Sequence, residues 1–257
     1  MTRRSTERPT WQSPVVLTSV GAIAIGAVII AFASGLLGGN GKPAELVTPP
    51  TSYAGITVDK ETMGSPTAPV TMQVYSDFQC PACKVFITTE LPSLLTDFVR
   101  PGLLKIESID IDIIDRGGSI ESSELTAGAF CAAEQNKYWE YHDLVFWNQG
   151  RENKGDHSTA FIQRVADAAG LDRTAFDACF ARTDIRQPVH DRTTTAAAGG
   201  ISSTPTLVLN GKAVVGVPAY DQLRTVITNL AASATQAPST EPSTAPTATP
   251  AGSPTPS

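Results

Sequence analysis

Apolar and polar residues alternate over Val70-Thr71-Met72-Gln73-Val74-Tyr75, the period of a half-buried strand. From Val85-Phe86-Ile87 through Phe98-Val99 the apolar positions recur at helical spacing instead. Pro92 falls inside that helical stretch and predicts a kink or break near Leu91, because proline lacks the N–H and crowds the preceding turn. Leu103 to Ile109 alternates again, which predicts a second strand parallel to the first and joined to it by a right-handed βαβ crossover. Upstream, Ile56-Thr57-Val58 is a short strand candidate, followed by the turn-rich Met63 to Pro69.

From about Ser119 to Ala198 the pattern is helical only. It predicts helices over 122–135, 138–147, 158–169, 173–181 and 185–198, with Gly170 placed to end one of them. The strand signal returns in Thr206-Leu207-Val208-Leu209 and Ala213-Val214-Val215-Gly216. These flank Asn210-Gly211, the pair preferred in a two-residue type I′ hairpin turn. A last helix is expected over 219–231.

The two ends have a different character. Residues 15–37 carry no charge and are rich in Val, Ala, Ile, Leu and Gly. As a helix they would extend on the order of 35 Å, enough to cross a bilayer core. Arg3, Arg4 and Arg8 precede this run against Glu7 alone, so residues 1–14 are expected in the cytoplasm and the rest of the chain outside. A cleaved signal peptide is the competing reading, with Ala31-Phe32-Ala33 as its site. Either way the domain is exported. Residues 38–53, with Gly38-Gly39 and Pro49-Pro50, read as a flexible stalk. Residues 232–257 are almost wholly Ala, Ser, Thr and Pro, a composition that buries no core and predicts a disordered tail.

The chain has 257 residues and a formal net charge of −6, and no basic patch lies beyond the first eight residues, which disfavours nucleic-acid binding. It has 4 cysteines, which in an oxidising compartment tend to pair.

Cys80-Pro81-Ala82-Cys83 sits between the first long strand and its helix. Pro81 suits the first helical position, where a missing N–H costs nothing. Cys80 then lies at the helix start, where unpaired N–H groups and the helix dipole stabilise a thiolate. Cys83, one turn deeper, is placed to attack a mixed disulfide on Cys80. A structural disulfide and half of a metal site are the rival readings, although no second Cys-X-X-Cys or nearby His-X-X-X-His completes a zinc site. His142 lies in an aromatic-rich helix and reads as a core or boundary residue. His157 and His190 are isolated, and Lys84 is most simply solvated.

The element order βαβ, helices, ββα is that of an α/β thioredoxin fold with an inserted helical subdomain at about 115–198. Three stretches carry a family likeness: Ser76-Asp77-Phe78-Gln79-Cys80-Pro81-Ala82-Cys83; Phe130-Cys131-Ala132-Ala133-Glu134-Gln135 with Tyr138-Trp139-Glu140-Tyr141-His142-Asp143; and Ile201-Ser202-Ser203-Thr204-Pro205-Thr206. Together they resemble the DsbA-like thiol-disulfide oxidoreductases, especially the membrane-anchored bacterial branch, over about residues 54–231. The resemblance implies a catalytic pair Cys80 and Cys83, with Pro81 and Ala82 tuning it. It also implies a cis-proline at Pro205 facing the pair, with the Thr204 backbone left free for an extended substrate segment. Without it, Pro205 is simply a strand-opening proline. A structural Cys131–Cys179 disulfide is implied by the same likeness, the alternative being two buried thiols. Reduced, unfolded exported proteins would be the substrates, and a membrane partner of DsbB or VKOR type the reoxidant. No cofactor is expected.

The sequence departs from the family in two respects. The strand before the motif offers no acid, only Thr71 and Gln73, and Asp77 reads as a cap or turn residue. Between the cysteines stands Pro81-Ala82 rather than a pair containing histidine, which predicts a less oxidising couple. A reductase or isomerase therefore stays open as an alternative, and a copper-binding thiol module is a reading of another class.

Overall fold

A computed structural model describes residues 45–236, so the expectations for 1–14, 15–37, the first part of the stalk and residues 237–257 lie outside the described residues. Strands β1 (Val58–Asp59), β2 (Thr62–Met63), β3 (Val70–Ser76), β4 (Leu104–Asp110), β5 (Thr206–Leu209) and β6 (Lys212–Val215) form one 6-stranded sheet. Its order is β1-β2-β4-β3-β5-β6. β3 lies between its parallel partner β4, in register from Val70↔Leu104 to Ser76↔Asp110, and the antiparallel β5. Val70, Met72, Val74 and Ser76 on one face of β3 are buried, while Thr71, Gln73 and Tyr75 on the other are half-buried, so the motif strand is covered on both sides.

Helix α1 (residues 81–99) follows the motif strand. It is α-helical at Pro81–Val85 and Leu91–Leu94, with wider π turns at Phe86–Glu90 and Leu95–Val99. The helix does not end at Pro92; the irregularity expected near Leu91 is a widened π turn just before it. The Leu91 N–H reaches back to the Phe86 carbonyl, one residue further than in an α-helix, and the widened turn admits the proline ring without ending the helix. The insertion comprises α2 (Glu121–Glu134), α3 (Tyr138–Trp147), α4 (Thr159–Ala168), α5 (Arg173–Phe180), a short 3₁₀ turn at Thr183–Ile185, and α6 (Gln187–Ala198). Caps set two of these starts: Ser158 accepts the Phe161 N–H and Asp172 the Ala175 N–H. Asn210 and Gly211 both have positive φ (44° and 83°) in the β5–β6 turn, and α7 (Tyr220–Gln236) closes the domain, continuing through residues 232–236, which the composition assigns to the disordered tail. Among the described residues no helix is long and apolar enough to cross a membrane.

The structure adds two features to the sequence reading. β1 and β2 form a small antiparallel hairpin turning at Lys60, whose φ is 51°, and β2 extends the sheet beyond β4. Residues 46–53, assigned above to the stalk, lie against the domain: Leu46 and Tyr53 pack on the core. The Val47 N–H and carbonyl bond the Asn148 side chain at 2.7 and 2.9 Å. The Tyr53 hydroxyl donates to Asp143 Oδ2, and Arg100, just past α1, holds the Ala54 and Ser52 carbonyls.

Candidate active site

The site is built where the end of β3 meets the start of α1. β5 pairs with β3 through Tyr75↔Thr206, so the residues just before Thr206 sit beside the loop that follows Tyr75 and Ser76. The Thr204–Pro205 peptide bond is cis, and the Cys80 thiol donates to the Thr204 carbonyl at 3.3 Å. Cys80 is the N-cap of α1 in extended conformation, with Pro81 as the first helical residue. Cys80 and Cys83 are both thiols and both buried, Cys80 at 6% exposure and Cys83 at 0%. Pro81 is exposed and Ala82 half-buried, so the face offered to a partner is formed by the dipeptide between the cysteines.

The two thiols are pushed in opposite directions. Cys80 is lowered to about 6, first by the hydrogen bond from the Cys83 thiol and then, against the cost of burial, by the Thr204 side chain and the Cys83 and Ala82 N–H groups at the helix start. Cys83 is raised well above the ordinary thiol range by burial, and further by its bond to Cys80 and the charge there. A group with a midpoint near 6 is roughly nine-tenths ionised at neutral pH, whereas an unperturbed thiol near 9 is about one-hundredth ionised. Cys80 is thus the thiol suited to act as nucleophile and leaving group, while Cys83 is the one that holds its proton.

Behind the cysteines the loop is anchored from within. Phe78 is fully buried, its ring 5.1 Å from Phe146 and edge-on to Tyr141 and His142. His142 bonds Asp143 and is packed among Phe78, Tyr138, Trp139 and Phe146, a core histidine as expected. Asp77 differs from the sequence reading. It does make the turn, accepting the Gln79 N–H at 2.9 Å, but it is also fully buried. Ser122 and the Ile114 N–H donate to it as well, at 2.6 and 3.0 Å. Burial raises its carboxyl to about 7; the bonds from Ser122, Gln79 and Ile114 oppose this, and nearby Asp115 adds to it.

Gln79 and Gln149 were not singled out from the sequence. The Gln149 amide donates to the carbonyls of Phe78 and Cys80 at 2.7 and 3.0 Å, and only the hydrophilic loop after α3 hinted at such a group. Cys131 of α2 and Cys179 of α5 are bonded to each other, Cα to Cα 5.7 Å, away from the pair and across the insertion. Among the described residues no group of three or more His, Cys, Asp or Glu is placed to hold a metal ion.

A model described as thioredoxin matches residues 57–229, most of the chain. The chain belongs to the thioredoxin family. Its relatives include DsbA-like proteins: disulfide bond formation protein D of Bacillus subtilis is 24% identical over 176 residues, covering 64% of this chain and 74% of that protein. Among solved structures, oxidised BdbD from Bacillus subtilis superimposes with a TM-score of 0.61 at 19% identity, covering 73% of this chain and 99% of that one. DsbA of Chlamydia trachomatis gives 0.59 at 20%, covering 76% and 100%.

Proposed function

We propose that this DsbA-like thiol-disulfide oxidoreductase works outside the cell membrane as a thiol oxidase, passing a Cys80–Cys83 disulfide to reduced, unfolded exported proteins. The observation that carries the reading is the placement of the two buried thiols, Cys80 as the N-cap of α1 against the Thr204 carbonyl and Cys83 fully buried one turn deeper, which lowers Cys80 to about 6 and raises Cys83. A substrate thiolate attacks the Cys80 sulfur of the disulfide, and Cys83 leaves and takes up a proton. A second substrate thiolate then attacks the substrate sulfur of the mixed disulfide and expels Cys80 as a thiolate. The substrate loses two electrons and two thiol protons and gains a disulfide. The enzyme keeps the electrons as a dithiol, which a quinone-linked membrane partner of DsbB or VKOR type reoxidises. Stabilising the Cys80 thiolate stabilises the reduced enzyme and so favours this direction.

The name of the Bacillus subtilis relative supports the direction, and the uncharged run 15–37 behind Arg3, Arg4 and Arg8 supports an anchored, extracytoplasmic domain with a cytoplasmic N-terminus. Residues Pro81, Ala82 and Thr204 form the surface against which the substrate lies, with the buried Pro205 supporting it from beneath, and the Cys131–Cys179 bond acts as a staple of the insertion. Oxidation of a reduced, unfolded test protein by the wild type and its loss in Cys80→Ser test the chemistry, and equilibration with glutathione buffers tests the direction. A potential well above the roughly −270 mV of thioredoxin, though below the about −120 mV of the most oxidising relatives as Pro81-Ala82 predicts, fits the proposal, whereas one near about −270 mV makes the protein a reductase.

A further inference from the structure

Resting on that reading, we propose that Gln149 is a positioning residue that sets the charge state of Cys80 from the insertion side. It belongs to the loop after α3, more than sixty residues from the motif, yet its amide grips the backbone of the motif at two carbonyls. One N–H goes to the Phe78 carbonyl at 2.7 Å and the other to the Cys80 carbonyl at 3.0 Å. The Cys80 carbonyl already accepts the Lys84 N–H of the first helical turn at 3.1 Å. Two donors on one carbonyl draw off its negative end, and the positive end of the amide dipole is brought to the residue that bears the thiolate. Both effects favour the ionised sulfur.

Gln79 reaches the opposite way. From the motif loop its Nε2 donates to Asp115 Oδ1 at 3.0 Å and to Ser122 Oγ at 2.8 Å, while its Oε1 accepts the Asn153 N–H at 2.7 Å. The residue before Cys80 is therefore tied into the insertion, and the insertion is tied back onto Cys80 by Gln149, two glutamines crossing one seam.

The loop that carries Gln149 is itself fixed. The Gly150 N–H donates to His157 Nε2 at 2.9 Å, which leaves the proton on His157 Nδ1 for Glu121 Oε2, also at 2.9 Å. Glu121 further accepts the N–H groups of Gly155 and His157. A side chain at Gly150 would come within 2.5 Å of Asp156 Cβ, so the residue after Gln149 has to be glycine for the loop to close this tightly. Asp156 in turn holds Arg151 through its side chain and N–H. Gln149 is thus presented on a rigid platform, as positioning requires.

The test is a charge series at this position, read by the pH dependence of thiolate absorbance near 240 nm in the protein with its catalytic pair reduced. Gln149→Met keeps the shape and loses the donors, and should reduce the Cys80 ionisation constant by at most about fivefold, the net worth of a whole hydrogen bond, because the bonds to the carbonyls are made in both charge states of the thiol. Gln149→Glu, which puts a negative group against two carbonyls, should reduce it further. Gln149→Lys keeps a donor and adds positive charge, and should leave the constant unchanged or increase it. A reduced constant in Gln149→Met and Gln149→Glu, with Gln149→Lys unchanged or increased, supports the proposal. A wild-type constant in Gln149→Met, or movement of Gln149→Glu and Gln149→Lys in the same direction, overturns it and leaves Gln149 a loop anchor. The titration needs no substrate, so absence of turnover in the wild type would defeat the oxidase reading without touching this result.

Discussion

Asp77 offers the sharpest check on the physics of the site. Its carboxyl is fully buried under the motif loop and titrates near 7 in the folded protein against 3.8 as the ordinary value. Between those values the folded chain keeps a proton that the unfolded chain has released. Stability from this group is therefore complete below about pH 4 and is lost as the pH rises toward 7. Integrating from pH 4.5 to 7.5 gives a loss of about 3 kcal/mol from this one carboxyl. Asp77→Asn removes the titration. It keeps an acceptor for Gln79 and Ser122 but sets an N–H against the Ile114 N–H, a constant cost of about 1–3 kcal/mol. Urea unfolding of the oxidised forms, in which Cys80 and Cys83 do not titrate, should show the wild type losing about 3 kcal/mol more than Asp77→Asn over that interval. Parallel stability curves for the two proteins would refute the reasoning and mean that the donors around Asp77 hold it ionised at every pH tested.

Two further outcomes follow from the cysteines. Replacing Cys131 and Cys179 by alanine opens a loop with a sequence separation of 48 and should cost about 4 kcal/mol in urea unfolding, with the Cys80 titration unmoved, since the bond lies across α2 and α5. Cys83→Ala removes the first cause of the low Cys80 midpoint, so its 240 nm titration should move up from about 6 toward the ordinary thiol value of 9.0; an unchanged midpoint would assign the shift to the helix start and Thr204 alone.

The elements around the motif were legible because each carries a local signal. β3 has strict alternation, α1 has Pro81 at its first position, the β5–β6 turn has Asn210-Gly211, and α4 and α5 begin at Ser158 and Asp172 caps. β1 and β2 were not legible as a hairpin, because strands of two residues have no period and the turn at Lys60-Glu61 lacks the usual residues. Pro92 was read by a rule for α-helices, and a π turn supplies the room that the rule denies. At the site, Cys80 and Cys83 could be found from spacing alone. Asp77 could not, because what buries it comes from Ile114 and Ser122, and Gln149 could not, because its partners are backbone carbonyls at Phe78 and Cys80. Periodicity reveals which face of an element is covered, not which distant side chain covers it.

The docked segment before Tyr53 bears on where this domain can be cut. Asn148 clasps the backbone of Val47 through both of its amide groups, and the next residue along the chain is Gln149, which holds the carbonyls of Phe78 and Cys80. A shortened protein that starts at residue 54, the boundary drawn from sequence, would discard Val47 and Tyr53 and leave Asn148 and Asp143 without those partners. A trimmed enzyme that has lost this lead is unfastened one peptide bond away from Gln149, whose amide holds the carbonyls on either side of Gln79.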